Sequence, residues 1–185
     1  MYQRLVTPPA MEPVTLEEAK LHLRIDRNEE DSLISALITA ARQKTEEYTR
    51  RAFITQMWEL ALDSASGRVY LPRSPIQTIN EVTLDGEIVS TENYVLIGQN
   101  AFYSKIPLRA VNPDGLVICY ISGYGDNATD VPQAIRQAIL MLVAHLYEAR
   151  EGEAPQVEYE VQARAGADIP PMVTSLLRPY RVMML

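Results

Sequence analysis

DVPQAIRQAILMLVAHLYEARE, running from Asp130 to Glu151, holds the longest apolar stretch in the chain. Ile135, Ala138, Ile139, Leu142 and Leu146 recur at helical spacing and form one stripe. Leu140, Met141, Val143, Ala144 and Tyr147 widen the apolar surface well beyond that stripe. A helix apolar around most of its circumference must be covered on more than one side. It is therefore either central to its own fold or completed by a neighbouring subunit. Pro132 suits the first turn, Asp130 is a candidate cap, and Gly152 can take the left-handed conformation that ends a helix near Glu151.

On the N-terminal side two further helices are predicted. In VTLEEAKLHLRID, Thr15 and Glu18 have the spacing of a capping box, and the helix should end near Arg24. NEEDSLISALITAARQKTEEYTRRAF begins with Glu29, Glu30 and Asp31 and ends with Arg50 and Arg51, the polarity that the helix dipole favours. Its predicted buried stripe is Leu33, Leu37, Ile38, Ala41, Thr45 and Tyr48.

After Phe53 the period changes from helical to alternating. TQMWELALD reads as a strand, SASG as a turn, and IQTINEVTL joins EIVS through Asp85-Gly86, a strong hairpin pair. YVLI, AFYSKI and LVICYISGYG complete a set of short strands. The expected fold class is α+β: three main helices and a short C-terminal helix in a small bundle, an inserted antiparallel β subdomain, and extended termini. The expected organisation is an extended segment at 1–14, a helical core at 15–53 and 127–151, a β insertion at 54–126, and an arm at 152–185 with a helix around MVTSLL. The N-terminal segment, with Pro8, Pro9 and Pro13, has no evident partner within the chain.

Composition narrows function further. The chain has 185 residues, 47% hydrophobic and 22% charged, with a net charge of −7. That balance argues against a protein that wraps nucleic acid, which needs a dominant basic surface. The single cysteine, Cys119, allows neither an internal disulfide nor a cysteine-based zinc site, and fits a reducing cytoplasm. No apolar run approaches the roughly 18 residues of a membrane span, and the N-terminus lacks the apolar core of a cleavable signal.

Candidate chemistry is sparse. His145 and Glu148 lie three residues apart on the predicted 132–151 helix, where an acid–base pair is geometrically possible. The surrounding Leu142, Val143 and Leu146 read as packing, and neither a nucleophile nor a pocket accompanies them. His22 is isolated. DRNEEDSLISAL fails as a calcium loop, with Asp31 where glycine is needed and Leu37 where a bidentate glutamate is needed. SGYGDN is too short for a phosphate cradle; Gly123 and Gly125 read as backbone devices for leaving a strand. No cofactor or metal is expected.

Five segments together resemble the head–tail connector (adaptor) proteins of long-tailed bacteriophages and related prophages. They are PVTLEEAKLHLRID, EEDSLISALITAARQKTEEYTRRAFITQMWEL, LPRSPIQTINEVT, YISGYGDNATDVPQAIRQAILMLVAHLYEARE and LLRPYRV. The resemblance implies a non-enzymatic ring, commonly of twelve subunits, in the virion neck. Such a ring sits beneath the portal protein, receives a tail-side stopper or tail-completion protein, and lets DNA pass without sequence-specific binding. The family's shortest members lack so large a β insertion. The candidate partner and oligomer interface is Leu140, Val143, Tyr147, Leu176, Leu177, Arg178, Tyr180 and Arg181. The alternatives are a DNA-packaging accessory ring that binds DNA and a small hydrolase using His145.

Overall fold

The computed structural model describes residues 2–149 and 169–182. The fold is α+β, as expected, and its described residues divide into two compact units. One falls within Met1–Met11 and Arg50–Asp130, the other within Glu12–Thr49 and Val131–Leu185.

The first unit consists of antiparallel strands β1 (Tyr2–Thr7), β2 (Gln56–Leu62), β3 (Ser64–Tyr70), β4 (Ile76–Leu84), β5 (Glu87–Ile88), β6 (Tyr94–Ile97), β7 (Ala101–Arg109) and β8 (Leu116–Ser122). They form a five-stranded sheet, β1-β2-β8-β4-β5, and a three-stranded sheet, β3-β7-β6. β8 is paired along both sides, to β2 and to β4. Its burial alternates strictly, which places Leu116, Ile118 and Tyr120 in the core. Leu60, Val82, Leu116, Ile118 and Tyr120 from the larger sheet meet Tyr94, Phe102 and Leu108 from the smaller in one cluster. The Tyr94 and Phe102 rings lie 5.5 Å apart in a tilted pair. The two sheets thus share a core between their inner faces.

Three local features explain this topology. At the β4–β5 hairpin, Asp85 (φ 50°) and Gly86 (φ 90°) both take the positive φ of the tight turn that matches strand twist. The Asp85 carboxylate also accepts the Val111 and Asn112 N–H groups, which holds it below the usual carboxylate range. The second feature is SASG, which is not a turn but part of β3. A register shift between Ala65 and Gly67 (φ 71°) lets the strand continue, the irregularity that a bulge glycine permits.

The third is the exit from β8. Gly123 has φ 132°, and a Cβ there would stand 2.6 Å from the backbone C and O of Ile54. Tyr124 N–H donates to Phe53 O and Thr55 N–H to Gly125 O, both at 2.9 Å, so the chain leaving β8 runs in parallel pairing against residues 53–55.

Two further sequence expectations change in this unit. The N-terminal segment is not left without a partner: Tyr2–Thr7 is the edge strand beside β2. The second predicted helix also ends earlier than Phe53. Arg51 bridges Arg73 and Ser74, and Ala52 N–H donates to Ser74 O at 3.2 Å, so strand-type pairing claims these residues.

The second unit contains α1 (Leu16–Leu23), α2 (Asp31–Thr49), α3 (Gln133–Ala149) and α4 (Pro171–Leu177), followed by a 3-10 turn at Arg178–Tyr180. The α1 capping box is present in both directions: Glu18 N–H donates to Thr15 Oγ1 at 3.1 Å, and Thr15 N–H to Glu18 Oε2 at 2.9 Å. Arg24 ends the helix with φ 59°. α3 packs against α2, α1 and α4. Its fully buried positions are Ile135, Ala138, Ile139, Leu142 and Val143. The expected stop at Gly152 lies outside the described residues, as does most of the expected arm.

The buried face of α2 keeps Ile38, Ala41 and Thr45 from the expected stripe but is rotated to one side of it. Ile34, Ile38, Ala41, Thr45 and Thr49 are buried, together with Arg42 and Glu46, while Leu33 is exposed and Leu37 and Tyr48 are half-buried. The buried hydroxyls are satisfied by their own helix: Thr45 Oγ1 donates to Ala41 O at 2.8 Å and Thr49 Oγ1 to Thr45 O at 2.7 Å. The Arg42 guanidinium lies between two carboxylates, with Nε 2.7 Å from Glu12 Oε2 and an Nη 2.8 Å from Glu46 Oε2. A buried charge is tolerated when it is paired and hydrogen-bonded, and here it is.

Two measurements test these features. Gly123→Ala should cost more than about 1 kcal/mol in chemical denaturation, because the added Cβ meets backbone and φ is disfavoured for L side chains. Glu18 is held below its ordinary value, first by the Thr15 N–H and then by Arg136. Its stabilisation is therefore full above its unfolded pKa and is lost as pH falls through the folded value. In thermal melts from pH 7 to pH 3, Glu18→Gln should show a shallower acid decline than the parent chain.

Candidate partner interface

The residues expected at an interface divide into two groups. Val143 and Leu177 are 0% exposed, so they serve the subunit's own core and leave the candidate set. On a helix apolar nearly all round, sequence alone does not distinguish the inner from the outer flank. Leu140, Tyr147, Leu176 and Tyr180 are half-buried, and Arg178 and Arg181 are exposed. Several of these are engaged within the helical unit. Tyr147 Oη donates to Glu30 Oε2 at 2.6 Å, and the Arg181 guanidinium stands 5.1 Å over the Tyr48 ring. Val182 N–H donates to Thr49 O at 2.9 Å, so the described part of the C-terminal segment folds back onto the end of α2.

Reactive groups fare differently. His145 and His22 are exposed, and among the described residues neither makes a hydrogen bond or ion pair. Where a calcium loop was weighed, Lys20 Nζ donates to Asn28 Oδ1 at 2.6 Å and to Asp31 Oδ1 at 2.7 Å, filling the position a cation would take. Burial, and after it Glu59 and Glu81, pushes the Cys119 thiol up, which opposes formation of a reactive thiolate. Among the described residues, no group of His, Cys, Asp and Glu could hold a metal ion, and no helix is long and apolar enough to cross a membrane.

Sequence reasoning missed the outward surfaces of the β unit. Tyr70 (56%), Tyr103 (38%) and Val95 (43%) are exposed on the three-stranded sheet, and Ile88 (74%) on β5. The signal was available: in AFYSKI, Tyr103 and Lys105 alternate with the buried Phe102 and Ser104. In the helical unit Leu21 and Met172 are the most exposed large apolar residues among those described. Aromatic, arginine and aliphatic side chains on ordered sheets and helices define a protein of surfaces, suited to assembly.

The comparisons agree with that class. Residues 13–87 match the model of the phage gp6-like head–tail connector protein family, so the resemblance to head–tail connectors is borne out over α1, α2 and β2 to the β4–β5 hairpin. Solved structures extend the likeness in fold to the whole chain. One is from the neck of an empty gene transfer agent particle computed with C6 symmetry, 22% identical, with a TM-score of 0.77, covering 100% of this chain and 97% of that one. Another is from the neck of a native particle computed with C12 symmetry, 21% identical, with a TM-score of 0.75 and the same coverage. A third, from the virion of the native particle, is 21% identical with a TM-score of 0.73. No curated protein sequence matches this chain.

Replacing His145 by Leu should leave the fold and particle assembly unchanged, as read by circular dichroism and by particle yield. A loss of particle function with intact assembly would instead give this side chain a chemical role.

Proposed function

We propose that this chain is a structural head–tail connector subunit in the neck of a tailed phage or phage-like particle. The observation that carries the reading is the family match over residues 13–87. The whole-chain likeness in fold to neck structures supports it. In this role the chain is not an enzyme. Copies repeat around a ring, for which twelve is the expected number, with the portal protein on one side and a tail-side stopper or tail-completion protein on the other. DNA passes through the ring.

The physical properties suit the role. A ring that DNA must traverse is better served by an acidic chain than by one that grips phosphate, and the net charge here is −7. A ring is built from heterologous contacts, one face of a subunit meeting a different face of the next. The half-buried and exposed members of the helical set, Leu140, Tyr147, Leu176, Arg178, Tyr180 and Arg181, are proposed as part of that contact or of the portal contact. The DNA-binding alternative requires a basic recognition surface on a helix, and no observation here favours it.

The test is electron microscopy of particles and of purified portal mixed with this protein. A ring of density between portal and tail, absent from particles lacking the protein, is the expected result. Normal necks in particles without the chain would refute the reading.

A further inference from the structure

The two sheets of the β unit differ in charge. The strands of the three-stranded sheet carry Arg68, Lys105 and Arg109 and no acidic residue, within a chain of net charge −7. Those of the five-stranded sheet carry Glu59, Glu81 and Glu87 against Arg4 alone. Since the inner faces of both sheets are spent on one core, their outer faces point away from each other.

Register shows what each outer face presents. On the smaller sheet, Arg68 and Val95 flank Tyr103 from the two neighbouring strands. All three are exposed, and tyrosine and arginine on a flat surface are the composition of interface centres. On the larger sheet a single row runs across four strands, Arg4–Glu59–Cys119–Glu81. Arg4 neutralises Glu59 at 2.8 Å, whereas Glu81 is exposed and makes no hydrogen bond or ion pair among the described residues. Ile88 stands at the edge of the same face.

We propose that these two faces are a complementary pair, and that the outer face of the three-stranded sheet of one copy packs on the outer face of the five-stranded sheet of the next. This rests on the connector reading. The occupant is a second copy of this chain because the carboxylate that Arg68 requires, Glu81, unpaired among the described residues, is displayed on the other side of the same unit. A front-to-back contact is heterologous, and it propagates into a ring when its rotation closes. Arg68 then meets Glu81 with Tyr103 at the centre.

The test uses two sets of variants, each made in the full chain and assembled on purified portal. In a Cys119→Ser background, Tyr103→Cys and Glu81→Cys together should give a ladder of disulfide-linked multimers under mild oxidation, and neither single cysteine should extend beyond dimers. Separately, Arg68→Glu should lower ring yield by about tenfold or more through like-charge contact, and Arg68→Glu with Glu81→Arg should restore it. Rings that form with no ladder and no effect of Arg68→Glu would overturn this contact while leaving the connector function standing. Loss of DNA binding by Arg68→Glu with rings intact would overturn it too, assigning the basic face to nucleic acid. If the unmodified chain formed no ring on the portal at all, the connector reading itself would fail.

Discussion

The helical unit depends on side chains reaching across the chain's interruption. Its two pieces, Glu12–Thr49 and Val131–Leu185, are separated by the whole of Arg50–Asp130, so their association has to be specified by long-range contacts. Arg136 supplies one. Its Nε donates to Pro13 O at 2.9 Å and its terminal nitrogen pairs with Glu18. Glu18 uses its other oxygen to cap α1 through Thr15. One carboxylate therefore starts the first helix and ties it to the third. Apolar contact between α2 and α3 provides the larger driving force, but it is non-directional, and the arginine fixes which ends meet.

An insertion of this size is tolerated because loop-closure entropy rises only slowly with length. Beyond that, the insert is not a loop. It closes its own core of Leu60, Val82, Phe102, Leu116 and Tyr120, and it takes in the N-terminal strand as an edge. The strand-type pairing of residues 51–54 with 73–74 and 125 closes the insert on itself where it begins.

Much of this was legible in sequence wherever a signal was local. The capping box at Thr15 and Glu18, the Asp85-Gly86 hairpin and the change of period after Phe53 each depend on residues a few positions apart. What escaped was decided by partners distant in the chain. The edge pairing of Tyr2–Thr7 depends on β2, more than fifty residues away and SASG continued as a strand because β7 was there to pair with it. The buried face of α2 was only partly read, because Arg42 and Glu46 looked like surface until their pairing with each other and with Glu12 was known. For the interface the same limit applies: Val143 and Leu140 read alike, and only packing separated the core residue from the half-exposed one.

The polar character of that buried face has a consequence for how the chain is made. α2 leaves the ribosome before any of β2 to β8, and the α3 helix it packs against follows only after all of them. A helix whose inner face were wholly leucine would spend that interval as a sticky, unpartnered surface. With Thr45 and Thr49 bonded to their own backbone and Arg42 paired to Glu46 on the same helix, α2 offers less apolar surface in that interval than a leucine face would.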